Sequence, residues 1–154
     1  MNTRRPTVLL TGATGYIASH TWLALQAAGL RVIGLDDFSN SSPEVLVRLE
    51  RLSGLRPEFE RVDVCDASAL ERIFAAERVD AVVHFAAFKA VGESSAKPLE
   101  YYRNNIGGLV ALLFVAALPA RAQLDIGRII DLGRKAVEVA PQIQEATKEY
   151  TVEE

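Results

Sequence analysis

The sequence predicts an α/β fold: half of a doubly wound parallel sheet, with strand order 3-2-1-4, followed by a helical C-terminal tail. Short apolar runs alternate along the chain with segments of helical period, and three of the four runs are continuous rather than alternating. Such runs are typical of strands that helices cover on both faces. Alternating strands and helices produce right-handed crossovers within one parallel sheet.

The elements follow from these patterns in order. Strands are predicted at residues 7–11, 31–36, 59–63 and 81–86. Helices are predicted over 16–28, from 42 to Gly54, from 68 onward and over 99–117. The fourth helix is expected to pack through one apolar face: Ile106, Leu109, Val110 and Leu113.

Composition and charge exclude several classes of protein. The chain has 154 residues, 49% of them hydrophobic, and a net charge of −3, which predicts one globular domain without the basic stripe of a nucleic-acid-binding protein. The most apolar stretch, 109–118, is too short for the ~20 residues of a membrane span. The one cysteine, Cys65, allows no internal disulfide and favours a cytoplasmic setting. No cluster has the spacing of metal ligands.

A glycine-rich turn lies between the first strand and the first helix. Its sequence is Gly-Ala-Thr-Gly from Gly12 to Gly15, and Ala18 stands where a third glycine is common. A diphosphate needs backbone N–H donors, no side chain in the way and the positive end of a helix dipole. The turn therefore predicts a dinucleotide site, and a plain strand-to-helix turn that happens to be rich in glycine is the less favoured reading.

Carboxylates end the second and third strands. Asp36 follows the glycine turn by about twenty residues, where a carboxylate accepts hydrogen bonds from the adenosine ribose. With Asp37 beside it, Asp36 would repel a 2′-phosphate, which favours NAD over NADP. For Asp63 two readings have equal weight: an acceptor for the adenine amine, or a helix N-cap role for the region Asp63–Asp66. His84 is predicted to be a core histidine and Cys65 an inert one.

Four segments, 11–21, 35–41, 83–94 and 97–105, resemble the extended short-chain dehydrogenase/reductase family, whose domain is of the Rossmann type, and within it the UDP-glucose 4-epimerases. The resemblance covers residues 8–113. It implies that Tyr16 and Ile17 lie along the pyrophosphate of NAD and that Asp63 and Val64 border the adenine. It implies a ribose site formed by Asp36, Asp37, Phe38, Asn40 and Ser41. It also implies a path to the nicotinamide lined by Phe85, Ala86, Ala87, Lys89 and Asn104.

The chain departs from that family after Leu113. The family's Tyr-x-x-x-Lys pair and sugar-binding domain are not found, since Tyr150 has no lysine four residues on. The sequence thus predicts an NAD-binding half-domain over 1–118 that is not catalytic alone. Two alternatives stay open: a recombined, self-assembling chimera with vestigial cofactor binding, and an epimerase active only when another chain completes it.

The tail, 119–154, is predicted to be helical and to pack on the half-domain or on a partner chain. Its apolar residues recur with a helical period from Ile126 to Tyr150, and Pro141 predicts a kink or a second helix. The fourth strand would lack an outer neighbour, and an apolar edge strand tends to pair with another chain. A homodimer is therefore expected, through that edge or through the tail helices.

Overall fold

The computed structural model describes residues 4–117, and the predicted tail helices lie outside the described residues. A four-stranded parallel sheet has the strand order β3-β2-β1-β4, which confirms the predicted fold class. The strands are β1 (Thr7–Thr11), β2 (Arg31–Asp36), β3 (Glu58–Arg61) and β4 (Ala81–His84).

The helices lie between these strands and after the last one. The first three each connect two strands: α1 (Tyr16–Ala27), α2 (Glu44–Ser53) and α3 (Ala67–Ala76). The remaining helical segments follow β4: α4 (Val91–Ala96), α5 (Pro98–Tyr102), a π-helical segment (Arg103–Gly107) and α6 (Gly108–Ala116). Among these described segments, none is long and apolar enough to cross a membrane.

Side chains of the central strands alternate between two cores, one on each face of the sheet. Val8 and Leu10 of β1 point to the face that α1 and α2 cover, where Trp22 and Leu49 are buried. Leu9 of β1 points to the opposite face, which α3 and α6 cover. The main members of this second core are Ile33, Leu35, Leu70, Phe74, Leu112 and Val115. Burial on both faces explains the continuous apolar runs.

Two strands end earlier than their sequences predict. β3 ends at Arg61 because the chain turns at Asp63, whose Oδ1 accepts the Cys65 N–H at 2.8 Å. β4 ends at His84 because the Ala87 N–H donates to the Phe85 carbonyl at 2.7 Å in a tight turn. As a result, the last residues of both predicted strands lie in loops at the carboxyl edge of the sheet.

The fourth helix buries a different face from the one that its sequence predicts. The path from Pro98 to Ala116 is helical, but its centre is π-helical, and the predicted face is exposed: Ile106, Leu109, Val110 and Leu113. The buried residues are Gly108, Leu112 and Val115. A Cβ at Gly108 would lie 2.6 Å from Cγ1 of Val64, so glycine allows the helix to approach the loop after β3 this closely. Because α6 is apolar on every side, periodicity could not select the buried face.

A substitution at Gly34 in β2 tests how closely α1 packs on the sheet. A Cβ at Gly34 would lie 2.0 Å from Cζ3 of the buried Trp22 ring. Gly34→Ala should therefore lower the free energy of unfolding by about 1–3 kcal/mol, the usual cost of overpacking, as measured by urea denaturation. Gly92→Ala is the control, because a Cβ there would meet nothing within 4 Å. Equal stability of the two variants would contradict this packing.

Candidate functional site

A cleft opens at the carboxyl edge of the sheet, between the loops that follow β1, β2, β3 and β4. Its volume is about 390 Å³. All the predicted site residues except Phe38 line it: Gly12, Gly15, Tyr16, Ile17, Asp36, Asp37, Asn40, Ser41, Asp63, Val64, Phe85, Ala86, Ala87, Lys89 and Asn104. Residues far apart in the sequence thus converge because parallel strands bring their carboxyl ends to one edge.

The glycine turn forms the floor of the cleft. Gly12 has φ +64°, and a Cβ there would lie 2.7–2.9 Å from backbone atoms of Phe85 and Ala86. The Gly15 N–H donates to the Gly12 carbonyl at 3.0 Å, and Gly15 precedes the first turn of α1. No side chain caps this end of α1. Its first N–H groups therefore face the cleft edge with a positive helix terminus behind them.

The first turn of α1 presents one side to the cleft and one to the core. Tyr16 is 81% exposed at the rim, beside the half-exposed Ile17. Ala18 is buried, and its small side chain serves the close helix–sheet packing expected of a third glycine. The exposed pair borders the cleft while Ala18 holds the helix against the strands.

Asp36 is buried at the end of β2 and organises the loop after it. Its carboxylate accepts the Thr14 N–H at 3.1 Å, the Phe38 N–H at 2.9 Å and the Ser41 hydroxyl at 3.0 Å. The hydroxyls of Thr14 and Ser41 are 2.7 Å apart. The glycine turn and the loop after β2 are thereby connected through one carboxylate.

Phe38 supports this loop instead of lining the cleft. Its φ of +64° is unusual for a residue with a bulky side chain. The Phe38 ring stacks on Phe59 with centroids 5.2 Å apart, and the Arg61 guanidinium lies 5.5 Å from its centroid. These contacts with β3, together with the bond to Asp36, hold the strained backbone in place.

Asp63 combines a turn with one wall of the cleft. Its Oδ1 accepts the Cys65 N–H, and its Oδ2 lies 3.9 Å from the Arg103 guanidinium. The N-cap of α3 is Asp66, whose side chain accepts the Ala69 N–H at 3.0 Å, so the N-cap role predicted for the region Asp63–Asp66 falls on Asp66. Burial, with the nearby Asp63 carboxylate, raises the pKa of the Cys65 thiol, in keeping with a poorly reactive cysteine.

Thr11 positions the loop that faces the glycine turn. Its hydroxyl oxygen accepts the N–H groups of Phe85 and Ala86 at 3.2 and 3.3 Å. It lies 2.7 Å from Nδ1 of His84, which accepts a hydrogen bond from the hydroxyl when the neutral ring carries its proton on Nε2. Burial lowers the pKa of His84 and so favours the neutral ring. His84 is thus half-buried and hydrogen-bonded, next to the cleft wall.

Sequence reasoning missed Asn105, which fixes the far end of the cleft. Its side chain accepts the Phe88 N–H and donates to the Phe88 carbonyl, both at 2.8 Å. It also accepts from the Asn104 amide at 3.0 Å. Both asparagines lie in the π-helical segment, a feature that is frequent at functional sites. Two adjacent asparagines in a predicted helix with many apolar residues are the signal that could have indicated these hydrogen bonds to Phe88.

The charged groups are divided between the two ends of the cleft. Asp36, Asp37 and Asp63 line one end, and Lys89 lies in the loop after β4 at the other. Lys89 is exposed and forms no ion pair with any residue in the range 4–117. The same described range contains no group of three or more acidic, histidine or cysteine residues arranged to hold a metal ion. Five further residues line the cleft: Ala18, Leu35, Ser39, Val62 and Phe88.

Lowering the pH from about 7 to about 5 should destabilise the fold through His84. Its folded-state pKa is lowered by burial, so the unfolded chain takes up the proton first, and stability falls as the pH drops through the ordinary histidine pKa of about 6.5. His84→Asn keeps an acceptor for Thr11 but does not titrate. Urea denaturation at both pH values should show a smaller loss for this variant, and an equal loss would contradict the role of His84.

Comparison with known proteins shows the family. The profile of the NAD dependent epimerase/dehydratase family matches residues 8–151, which include most of the tail. The UDP-glucose 4-epimerase of Yersinia enterocolitica is 47% identical over 106 residues, 69% of this chain and 32% of that protein. UDP-glucose 4-epimerase 2 of Arabidopsis thaliana is 50% identical over 113 residues, 71% of this chain and 32% of that protein. The chain spans about a third of the length of these relatives.

Solved structures give the same result for the fold. The Bifidobacterium longum UDP-glucose 4-epimerase in complex with NAD+ and UDP matches with a TM-score of 0.70 and 47% identity, over 71% of this chain and 33% of that one. The Stenotrophomonas maltophila enzyme with bound NAD and formylated UDP-arabinopyranose matches with a TM-score of 0.71 and 40% identity, over 73% and 33%. With its strand order, its glycine turn and a family match over most of its length, the chain belongs to the NAD dependent epimerase/dehydratase family.

Proposed function

We propose that this chain binds NAD in the cleft at the carboxyl edge of its sheet and is not catalytic alone. The observation that carries the proposal is Gly12, where the turn lacks a side chain at a point that a Cβ could not occupy. The uncapped end of α1 stands beside it. Backbone N–H donors at a positive helix terminus are the recognised means of binding a diphosphate. The pyrophosphate would lie there, alongside Tyr16 and Ile17.

The acidic end of the cleft suits the adenosine. The carboxylate of Asp36 accepts from three protein donors, and a carboxylate offers about four acceptor positions, which leaves capacity for a ribose hydroxyl. Asp37, Asn40 and Ser41 surround the same position. A 2′-phosphate would meet two carboxylates, so the proposal is specific for NAD over NADP. Asp63 and Val64 would border the adenine.

The other end of the cleft suits the nicotinamide ribose. Phe85, Ala86 and Ala87 form a wall held by Thr11, and Lys89 brings a cation to a ligand whose pyrophosphate carries two negative charges. Asn104 would contribute from the π-helical segment. The solved relatives are described with bound NAD, which supports the same use of this cleft.

The proposed lack of catalysis by these residues alone rests on their sequence. No Tyr-x-x-x-Lys pair, the catalytic pair of the family that the sequence resembles, occurs among the 154 residues. Residues 1–118 would then act as a nucleotide-binding half-domain of UDP-glucose 4-epimerase type, in the reducing cytoplasmic setting that one free cysteine favours.

NAD should raise the melting temperature of the purified chain, and NADP should raise it less. Ligand at a hundred times its dissociation constant stabilises a protein by about 2.7 kcal/mol. Gly12→Ala should abolish the NAD shift, because its Cβ would collide with the backbone of the loop after β4. Gly54→Ala is the matched control: its φ of +69° imposes the same backbone strain, but a Cβ there would meet nothing within 4 Å.

Each alternative has its own outcome in this experiment. No shift at millimolar NAD, or an equal loss of the shift in both glycine variants, would contradict the proposal and favour a self-assembling chain with vestigial binding. Conversion of UDP-galactose to UDP-glucose by the purified chain would contradict the absence of catalysis. Conversion only after addition of a second polypeptide would support the completed-epimerase alternative.

We further propose a homodimer that forms through the outer edge of β4. Among the described strands, β4 pairs with β1 alone, so its other edge presents unpaired backbone groups. Light scattering across a concentration series should show a twofold rise in mass. Val82→Pro, which removes an N–H on the side of β4 that faces away from β1, should reduce the dimer. A chain that stays monomeric at all concentrations would contradict the dimer.

A further inference from the structure

The loop between β4 and α4, residues 85–90, carries the cation of the cleft. Lys89 is the one lysine or arginine among the described residues that line the cleft. Its side chain is exposed, and no carboxylate within residues 4–117 pairs with it. A lysine on an unconstrained loop has backbone and side-chain freedom, which it loses when it binds an anion. How the backbone around Lys89 is held therefore affects how strongly this residue can bind a ligand.

Asn105 holds the residue that precedes Lys89. Its side-chain oxygen accepts the Phe88 N–H and its amide N–H donates to the Phe88 carbonyl, both at 2.8 Å. Because a backbone N–H only donates and a carbonyl only accepts, these two bonds fix the orientation of the Asn105 amide. One side chain thus satisfies both backbone polar groups of Phe88 and joins them to the π-helical segment.

Tyr101 holds the residue that follows Lys89. Its hydroxyl lies 3.0 Å from the Ala90 carbonyl oxygen and 3.0 Å from Oε2 of Glu93, and its one proton is shared between these two acceptors. The rings of Tyr101 and Phe88 meet edge to face, with centroids 5.5 Å apart. Both neighbours of Lys89 therefore contact the helical path after β4, while Lys89 itself is exposed.

We propose that Tyr101 and Asn105 are positioning residues for Lys89, which fix its backbone so that its ammonium group binds the phosphate-bearing ligand of the cleft. This inference rests on the proposed binding of NAD. The two residues are four positions apart along the helical path, so both reach the loop from one side. Neither of them lines the cleft. Each therefore acts on the ligand through the loop, and not by direct contact.

A purely structural role for these two residues has a different consequence. If they only stabilise the fold, their loss lowers the affinity for NAD by the same factor whichever residue stands at position 89. If they position the lysine, their loss has no further effect once the charge at position 89 is gone. The coupling between the two substitutions therefore distinguishes the two roles.

Titration calorimetry with NAD measures this coupling. Lys89→Met, which keeps an unbranched side chain without the charge, should weaken binding about tenfold, and Asn105→Leu, which keeps the side-chain volume, about fivefold. The double variant should bind at most about twofold more weakly than Lys89→Met alone. Tyr101→Phe keeps the ring against Phe88 and loses only the hydroxyl, and its effect should likewise vanish in the Lys89→Met background. Losses that multiply in the double variants would overturn the positioning role.

Tyr102→Phe is the matched control for Tyr101→Phe. Tyr102 is 64% exposed, and its hydroxyl forms no hydrogen bond with any residue of the described range. The affinity of Tyr102→Phe for NAD should therefore equal that of the unsubstituted chain. A loss as large as that of Tyr101→Phe would contradict the role of the Tyr101 hydroxyl.

Hydrogen exchange in the absence of ligand gives a second test. Asn105→Leu should speed exchange of the Phe88 amide at least about tenfold, because that N–H loses its acceptor. The Phe85 amide, which Thr11 holds, is the internal reference and should exchange at an unchanged rate. An unsubstituted chain that binds no NAD would contradict the proposed function, and with it the role of Lys89. Binding of NAD with multiplying losses, or with an unchanged Phe88 amide, would contradict the positioning role alone.

Discussion

The fold and its cleft depend on one close contact, between the glycine turn after β1 and the backbone after β4. At Gly12 a Cβ would lie within 2.9 Å of the backbone of Phe85 and Ala86. Thr11, one residue earlier, binds the same two N–H groups through its hydroxyl. The contact both closes the central strand pair and forms one end of the cleft floor. Structural and ligand-binding requirements therefore meet at a single position.

A second constraint comes from helices that must cover both faces of the sheet. On one face the indole of Trp22 lies against Gly34, and on the other Gly108 lets α6 reach Val64. In each case a glycine lies where two segments pack so closely that a Cβ would overlap with the neighbouring side chain. The buried face of α6 therefore includes its one glycine, and Leu109, Val110, Leu113 and Phe114 on the other side are exposed.

The sequence predicted most of the sheet and most of the cleft, for identifiable reasons. β1 and β2 are interior, so their continuous apolar runs define both their presence and their bounds. Loop residues of the cleft were found from the glycine turn and from the family resemblance. The hydrogen bonds of Asn105 to Phe88 and the orientation of α6 depend on contacts between segments distant in sequence, and no local period encodes these. Phe38 was assigned to the cleft by position in the family, whereas its ring turns to β3.

The loop that follows β2 is held by its own interactions before any ligand is present. Phe38 keeps a left-handed backbone between an aromatic ring and a guanidinium of β3, while Asp36 gathers the surrounding donors. The conformational entropy of this loop is therefore lost when the chain folds and need not be lost again on association. Preorganisation of this kind would lower the entropic cost of binding any ligand beside Asp36. No residue of the edge strand β3 lines the cleft. Through the contact of Phe59 with Phe38, β3 would then influence ligand affinity only by making the loop after β2 rigid.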